Sequence, residues 1–219
     1  MTSDTMNFLR ALRRNNNRDW FHAHDAAYRA AKKDFLELVS EVLERLVRAD
    51  GSLSGVDPSK ALFRINRDVR FSKNKEPYKN HLSAFLSIGG RKGPQAGYYI
   101  HAEPGSGILA GGCWMPEPEH LSCIRQEIDY NLDDWRGVLE SARFRNQFGE
   151  LDREAELKRP PKGFAADNPA LEWLRLKSFT ASVVVADADW LRPDAATRLA
   201  DKLAVLTPMV QFLNRALVV

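Results

Sequence analysis

Cysteine is scarce in this chain of 219 residues: Cys113 and Cys123 are the only two, with no CxxC and no second pair. That excludes a disulfide-stapled scaffold and a cysteine-built structural zinc site, and it fits a reducing compartment. Both thiols read as small packed hydrophobes. Long apolar runs are missing too. No stretch of about 18 consecutive apolar residues occurs, and the opening residues hold no apolar run of signal-peptide length. The expectation is a cytoplasmic protein without a membrane partner. There is no internal repeat, no low-complexity tract, and no Walker A, GxSxG, HExxH or EF-hand pattern. Charge of one sign is also lacking overall, with 32 Lys+Arg against 29 Asp+Glu and a net +3. With 44% hydrophobic and 28% charged residues the composition is that of a globular protein, not a disordered or fibrous one.

What is present divides by periodicity. Residues 5–14 predict a short helix, ended by Asn15, Asn16 and Asn17, whose side chains compete for backbone hydrogen bonds. The segment NNNRDWF reads as a turn with Trp20 and Phe21 as aromatic core anchors. A long helix is expected from about Ala23 to Ala49, with Tyr28, Ala31, Phe35, Leu38, Val39, Val42, Leu46 and Val47 at three- and four-residue steps. Asp50-Gly51 stops it. From Leu62 to Phe71 the period becomes two, with Phe63, Ile65, Val69 and Phe71 on one side and Arg64, Asn66, Asp68 and Arg70 on the other, predicting a strand. Further strands are expected at 82–88, 97–103, 108–114 and 177–186, the connections among the first four being short enough for an antiparallel meander. Helices are expected at 118–130, 133–148 and 169–174, and a last one over 192–217, kinked or broken at Pro208. The fold class read from this order is one α+β domain over 1–219, a mainly antiparallel sheet of about five strands flanked by N-terminal and C-terminal helices.

The charge is local. Residues 60–81 hold seven cations, Lys60, Arg64, Arg67, Arg70, Lys73, Lys75 and Lys79, against Asp68 and Glu76, so the segment is +5 and the remainder of the chain −2. Arg64 and Arg70 flanking Asp68 offer planar bidentate donors for phosphate or carboxylate, and Lys73, Lys75 and Lys79 can close over such a ligand. The same charges can instead be cross-strand ion pairs on a solvated face, each worth little. If the neighbouring strands alternate, His81, Ser83, Phe85 and Ser87 share a face, as do Tyr99, His101 and Glu103. Asp68, His81, His101 and Glu103 are therefore the candidate catalytic groups for proton transfer, and Arg64, Arg70, Lys73, Lys75, Lys79, Tyr99 and Trp114 the candidate ligand-binding residues. His81, His101 and Glu103 also match the two-histidine, one-carboxylate set of a non-haem iron site, but a satisfied structural histidine is far commoner, so no metal and no cofactor is assigned. Gly105 to Ala110 formally matches GxGxxG/A. No helix opens within it, so it reads as a hairpin turn running into a glycine-tolerant strand, with Gly111-Gly112 leaving room for backbone packing or a ligand.

NNNRDWF, FRINRDVRFSKNKEPYKNH, GYYIHAEP, GGCWMPEPEHLSCIR and LRLKSF, in that order, resemble the bacterial family of conserved hypothetical proteins called domain of unknown function 2461. The resemblance spans Asn7 to Leu213. It departs at Cys113, where the family usually has a third glycine before the tryptophan. It implies one compact α+β domain and no particular reaction. Three function classes stand at this point: a protein binding or acting on a small anionic, phosphate-bearing ligand at 60–81; a nucleic-acid binder using the same patch with Phe71, Tyr78 and Tyr99 as stacking surfaces; and a protein-interaction module in which the ion pairs are structural.

Overall fold

The computed structural model describes residues 1–217. Among them are eleven α-helices and one four-stranded sheet. α1 (Ser3–Arg14) is capped by the Thr2 hydroxyl, which accepts from the Thr5 N–H, and it ends on Arg13 and Arg14, which suit the negative end of the helix dipole. The Asn15–Asn17 cluster ends α1 as expected. It also starts α2 (Arg18–Ala23), whose Trp20 N–H is capped by the Asn17 side chain at 2.9 Å. The long helix is α3 (Asp25–Leu46), entered at His24, whose ring stacks on Trp20 at 4.0 Å between centroids. Its buried stripe is Ala31, Phe35, Leu38, Val39, Val42, Leu43 and Leu46. A four-residue helix, α4 (Pro58–Ala61), precedes the cationic segment.

The sheet contains β1 (Leu82–Leu86), β2 (Gly97–Ala102), β3 (Gly107–Cys113) and β4 (Phe179–Val185) in that spatial order, every neighbouring pair antiparallel. β1 to β3 form the expected meander. β4 joins it only after α5 (Pro118–Tyr130), α6 (Leu132–Glu140), α7 (Ala142–Phe148) and α8 (Leu171–Leu174). After β4 come α9 (Asp187–Trp190), α10 (Ala195–Ala204) and α11 (Thr207–Leu217). One face of the sheet, including Leu82, Ala84, Leu86, Tyr98, Ile100, Ala102, Leu109, Ala181 and Val185, is buried. α3, α10 and α11 pack on the sheet. Registers place Ser83 opposite His101, Phe85 opposite Tyr99, Tyr99 opposite Ala110 and Ala110 opposite Ser182, all on the other face.

Two expectations change, at 62–71 and at 133–148. The sheet has four strands, not five, because residues 62–71 form an arm with only two isolated bridges, Leu62 to Ala84 and Asn66 to Tyr78. The arm folds back on itself: the Arg67 N–H donates to Pro77 and the Lys79 N–H to Ile65, while Pro77 has no N–H to extend a ladder. Burial alternates as far as Arg70 and then fails, leaving Phe71 95% exposed. The helix expected over 133–148 breaks at Ser141, whose hydroxyl caps α7. The C-terminal helix is two, with the expected break falling just before Pro208, which lies in the first turn of α11, where a missing N–H costs nothing. Gly112 answers the question of the glycine pair: at φ +119° a Cβ would stand 2.0 Å from the Phe179 carbonyl oxygen, so the space is taken by the neighbouring backbone.

Candidate functional site

The root of the arm is held by the N-terminal asparagines. Asn66 and Tyr78 form a pair whose ladder bonds are made by their neighbours, so the N–H and C=O of Tyr78 point away from Asn66. Asn16 receives both. Its Nδ2 donates to the Tyr78 carbonyl at 2.9 Å and its Oδ1 accepts from the Tyr78 N–H at 3.1 Å, imitating one residue of a third strand. Nδ2 also donates to Asn80 Oδ1 at 2.9 Å. The Tyr78 ring stacks on Phe21 at 3.9 Å. NNNRDWF is thus the anchor of the cationic segment.

Next to this anchor the chain returns to the sheet. Lys79 lies beside Phe63, its Nζ 5.3 Å from the ring centroid, and the Arg91 guanidinium from the β1–β2 turn lies 5.3 Å from the same ring. Burial, and then the charges of Arg64 and Arg91, push the Lys79 pKa down. Among the described residues Arg64, Lys79 and Arg91 make no ion pair with a carboxylate.

The polar face of β1 and β2 continues from Lys79. His81 immediately precedes β1, His101 is in β2, and Glu103 immediately follows it. His101 Nε2 is 2.9 Å from Glu103 Oε2, and Nδ1 is 2.9 Å from the Tyr99 hydroxyl. The His81 and His101 ring centroids are 4.0 Å apart, and His81 Nδ1 is 3.9 Å from Glu103 Oε2. Burial lowers the His81 pKa to about 3, with the neighbouring His101 and Lys79 adding to the effect, so its imidazole is neutral at physiological pH. Burial raises the Tyr99 pKa, as does the Glu103 carboxylate, which keeps the phenol protonated. Tyr99, His101 and Glu103 form a continuous hydrogen-bonded line along one strand, able to hold or relay a proton.

The expected site residues therefore separate into two groups. His81, His101, Glu103, Tyr99 and Lys79 come together on the polar face of the sheet, with Arg64 within charge range of Lys79. Asp68, Arg70, Lys73 and Lys75 stand out on the arm. Arg70 donates to both Asp68 oxygens, at 3.0 and 2.7 Å, and these hydrogen bonds, with the nearby charge of Arg64, hold that carboxyl below the usual range. Lys75 donates to the Val69 carbonyl at 3.0 Å, tying the two limbs of the arm, and Lys73 is exposed. Trp114 is 73% exposed, six residues along the chain from Ile108, the partner of His101, which at strand spacing is roughly 20 Å away.

Sequence reasoning missed Phe63 as the ring on which cations gather, Arg91 as one of them, and Asn16 as the clamp. It also missed the far side of the face, where Thr180 and Ser182 each donate to Asp152 at 2.8 Å. Between that group and Tyr99 the register puts only Ala110, so the middle of the face has a floor of small side chains. The one signal available was the polar alternation of Thr180 and Ser182 within an otherwise apolar strand. Neither the curated proteins nor the solved structures contain a match. The order of motifs around the clamp, the arm and the polar strand face agrees with a family model matched over residues 4–212, and the chain belongs to that family of conserved hypothetical proteins, DUF2461.

Proposed function

We propose that this protein binds a small anionic, phosphate-bearing ligand on the polar face of its sheet, at the root of the arm. The observation that carries the reading is the placing of Lys79 and Arg91 against the Phe63 ring, with Arg64 within charge range of Lys79 and none of the three in an ion pair among the described residues. Packing like charges this closely costs free energy that an anion would return. Guanidinium forks from Arg64 and Arg91 would grip phosphate oxygens, Lys79 would act as a point charge, and the Tyr99–His101–Glu103 line lies alongside for proton transfer. Arg70, whose fork is already filled by Asp68, stands outside this seat.

The test is a thermal-shift panel of inorganic phosphate, nucleotides and sugar phosphates. A ligand at about a hundred times its Kd should add about 2.7 kcal/mol, or roughly 5–10 °C in a chain of this size. Lys79→Met and Arg64→Ala are expected to remove the shift and Arg70→Ala to keep it. A wild type that responds to no anion, or a Lys79→Met variant that responds fully, refutes the reading.

The exposed tip of the arm favours a second reading, nucleic-acid binding. Phe71 is 95% exposed with the Arg70 guanidinium 5.8 Å from its ring centroid, and Lys73 and Lys75 follow it in the chain. Tyr78 is buried against Phe21, which leaves Phe71 as the stacking surface. Binding that tightens with oligonucleotide length, weakens steeply with salt and is lost in Phe71→Ala would support it. Length-independent binding would count against it.

A further inference from the structure

We infer that His81, His101 and Glu103 form a binding site for one divalent transition-metal ion of the zinc or iron class. Each residue presents one donor atom, and the three atoms lie within 4.8 Å of one another. Three donors at about 2.0–2.2 Å from a common ion stand roughly 3–3.6 Å apart. The observed separations from Glu103 Oε2, 2.9 Å to His101 Nε2 and 3.9 Å to His81 Nδ1, straddle that range, so a small side-chain rotation completes the set.

The strands make the placement rigid. Ser83 pairs with His101 and Leu82 with Ala102, so continuing the antiparallel register sets His81 opposite Glu103, and the three side chains project from one face of one ladder. An ion held there meets a fixed frame, not a mobile loop. His81 makes no hydrogen bond among the described residues, so its ring nitrogens are not engaged by another protein group. The Tyr99 hydroxyl at His101 Nδ1 supplies the outer hydrogen bond that orients a ligating imidazole. With the ion on Nε2, the ring proton resides on Nδ1 and is donated to the Tyr99 oxygen.

Donor chemistry selects the ion. Two imidazoles and one carboxylate suit zinc, iron, cobalt or nickel, whereas magnesium and calcium prefer sites built from oxygen. Three protein donors leave coordination positions for water or for a ligand oxygen. Among the described residues no other group of three such donors converges. The inference needs no anion, so it stands or falls separately from the phosphate reading.

The experiment is a titration of the full-length, chelator-treated protein with Co2+ or Zn2+ alone, in phosphate-free buffer, read by calorimetry and by the visible absorption of bound Co2+, with Mg2+ as the comparison. The wild type is expected to take up one Co2+ or Zn2+ per chain and to ignore Mg2+. His81→Gln and Glu103→Gln should lose saturable uptake, while Tyr99→Phe should keep one ion per chain at about tenfold weaker affinity. His120→Gln and His22→Gln should bind as the wild type does. The inference is overturned if the wild type takes up no ion, if His81→Gln and Glu103→Gln bind normally, or if uptake follows His120 or His22. Because the wild-type stoichiometry is decisive in itself, a variant that fails to fold leaves the test intact.

Discussion

Replacing Asn16 with alanine tests whether the N-terminal motif holds the arm. The substitution removes three hydrogen bonds, two to the Tyr78 backbone and one to Asn80, at 2.9, 3.1 and 2.9 Å. A bond of this kind is worth about 1 kcal/mol net, so the loss should be about 3 kcal/mol. The figure falls toward about 2 kcal/mol if water reaches the freed Tyr78 groups, because the bonds are only partly buried. For a chain of this size each kcal/mol moves Tm by about 2–4 °C, which makes the drop roughly 4–12 °C. Urea denaturation is the assay, with the midpoint expected to fall and the slope to hold. Asn16→Asp is the informative companion: its carboxylate still accepts from the Tyr78 N–H, but it faces the Tyr78 carbonyl and Asn80 Oδ1 without a donor, so it should be no more stable than the alanine variant. A cost below about 0.5 kcal/mol for Asn16→Ala, the range of ordinary surface changes, would refute the claim that this side chain serves as a missing strand residue.

Other consequences follow from single contacts. Tyr98→Phe deletes the hydroxyl that donates to the buried Asp50 carboxylate at 2.7 Å and shares a bond with Thr207 at 3.0 Å; a loss of about 1.5–3 kcal/mol is expected in denaturation, and an unchanged midpoint would contradict it. Gly112→Ala puts a methyl group on the Phe179 carbonyl at a positive φ, so the variant should be among the most destabilised in any scan, and a shift under about 1 kcal/mol would show that the strands part easily. Burial works against the Asp34 charge, but hydrogen bonds from the Thr5 hydroxyl and from the Thr2 hydroxyl and N–H outweigh it and lower its pKa. A lowered folded pKa means stability that is present above about pH 4 and lost as pH falls through the folded value. The stability gap between wild type and Asp34→Asn should therefore close on acidification, and a gap that widens would reverse the sign.

Much of the polar strand face could be read from the sequence. The two-residue period of HLSAFLS and GYYIHAE places His81, Tyr99, His101 and Glu103 on one side of their strands, and the register confirms that these sides coincide. The same period misleads at 62–71. Alternation records which side chains are apolar, but it does not say whether a partner strand will come to pair them. Leu62 finds Ala84; beyond it the arm pairs with its own returning limb, and Phe71 has nothing to pack on. Counting the charge of residues 60–81 located the cations correctly but not their grouping. Arg70 pairs with its near neighbour Asp68, whereas Lys79 meets Arg91, twelve residues further on, across a half-buried ring.

By itself the sequence determined the helix stripes, the turns, the antiparallel meander and the sidedness of the strands, because each depends on residues a few positions apart and on backbone preferences that act locally. Only the tertiary structure decided that Asn16 closes the Tyr78 backbone, that β4 completes the sheet beside β3, and that His81 is neutral within reach of Glu103. Those outcomes depend on which distant groups exclude water from one another, and desolvation belongs to the packed assembly of elements, not to any one stretch of chain.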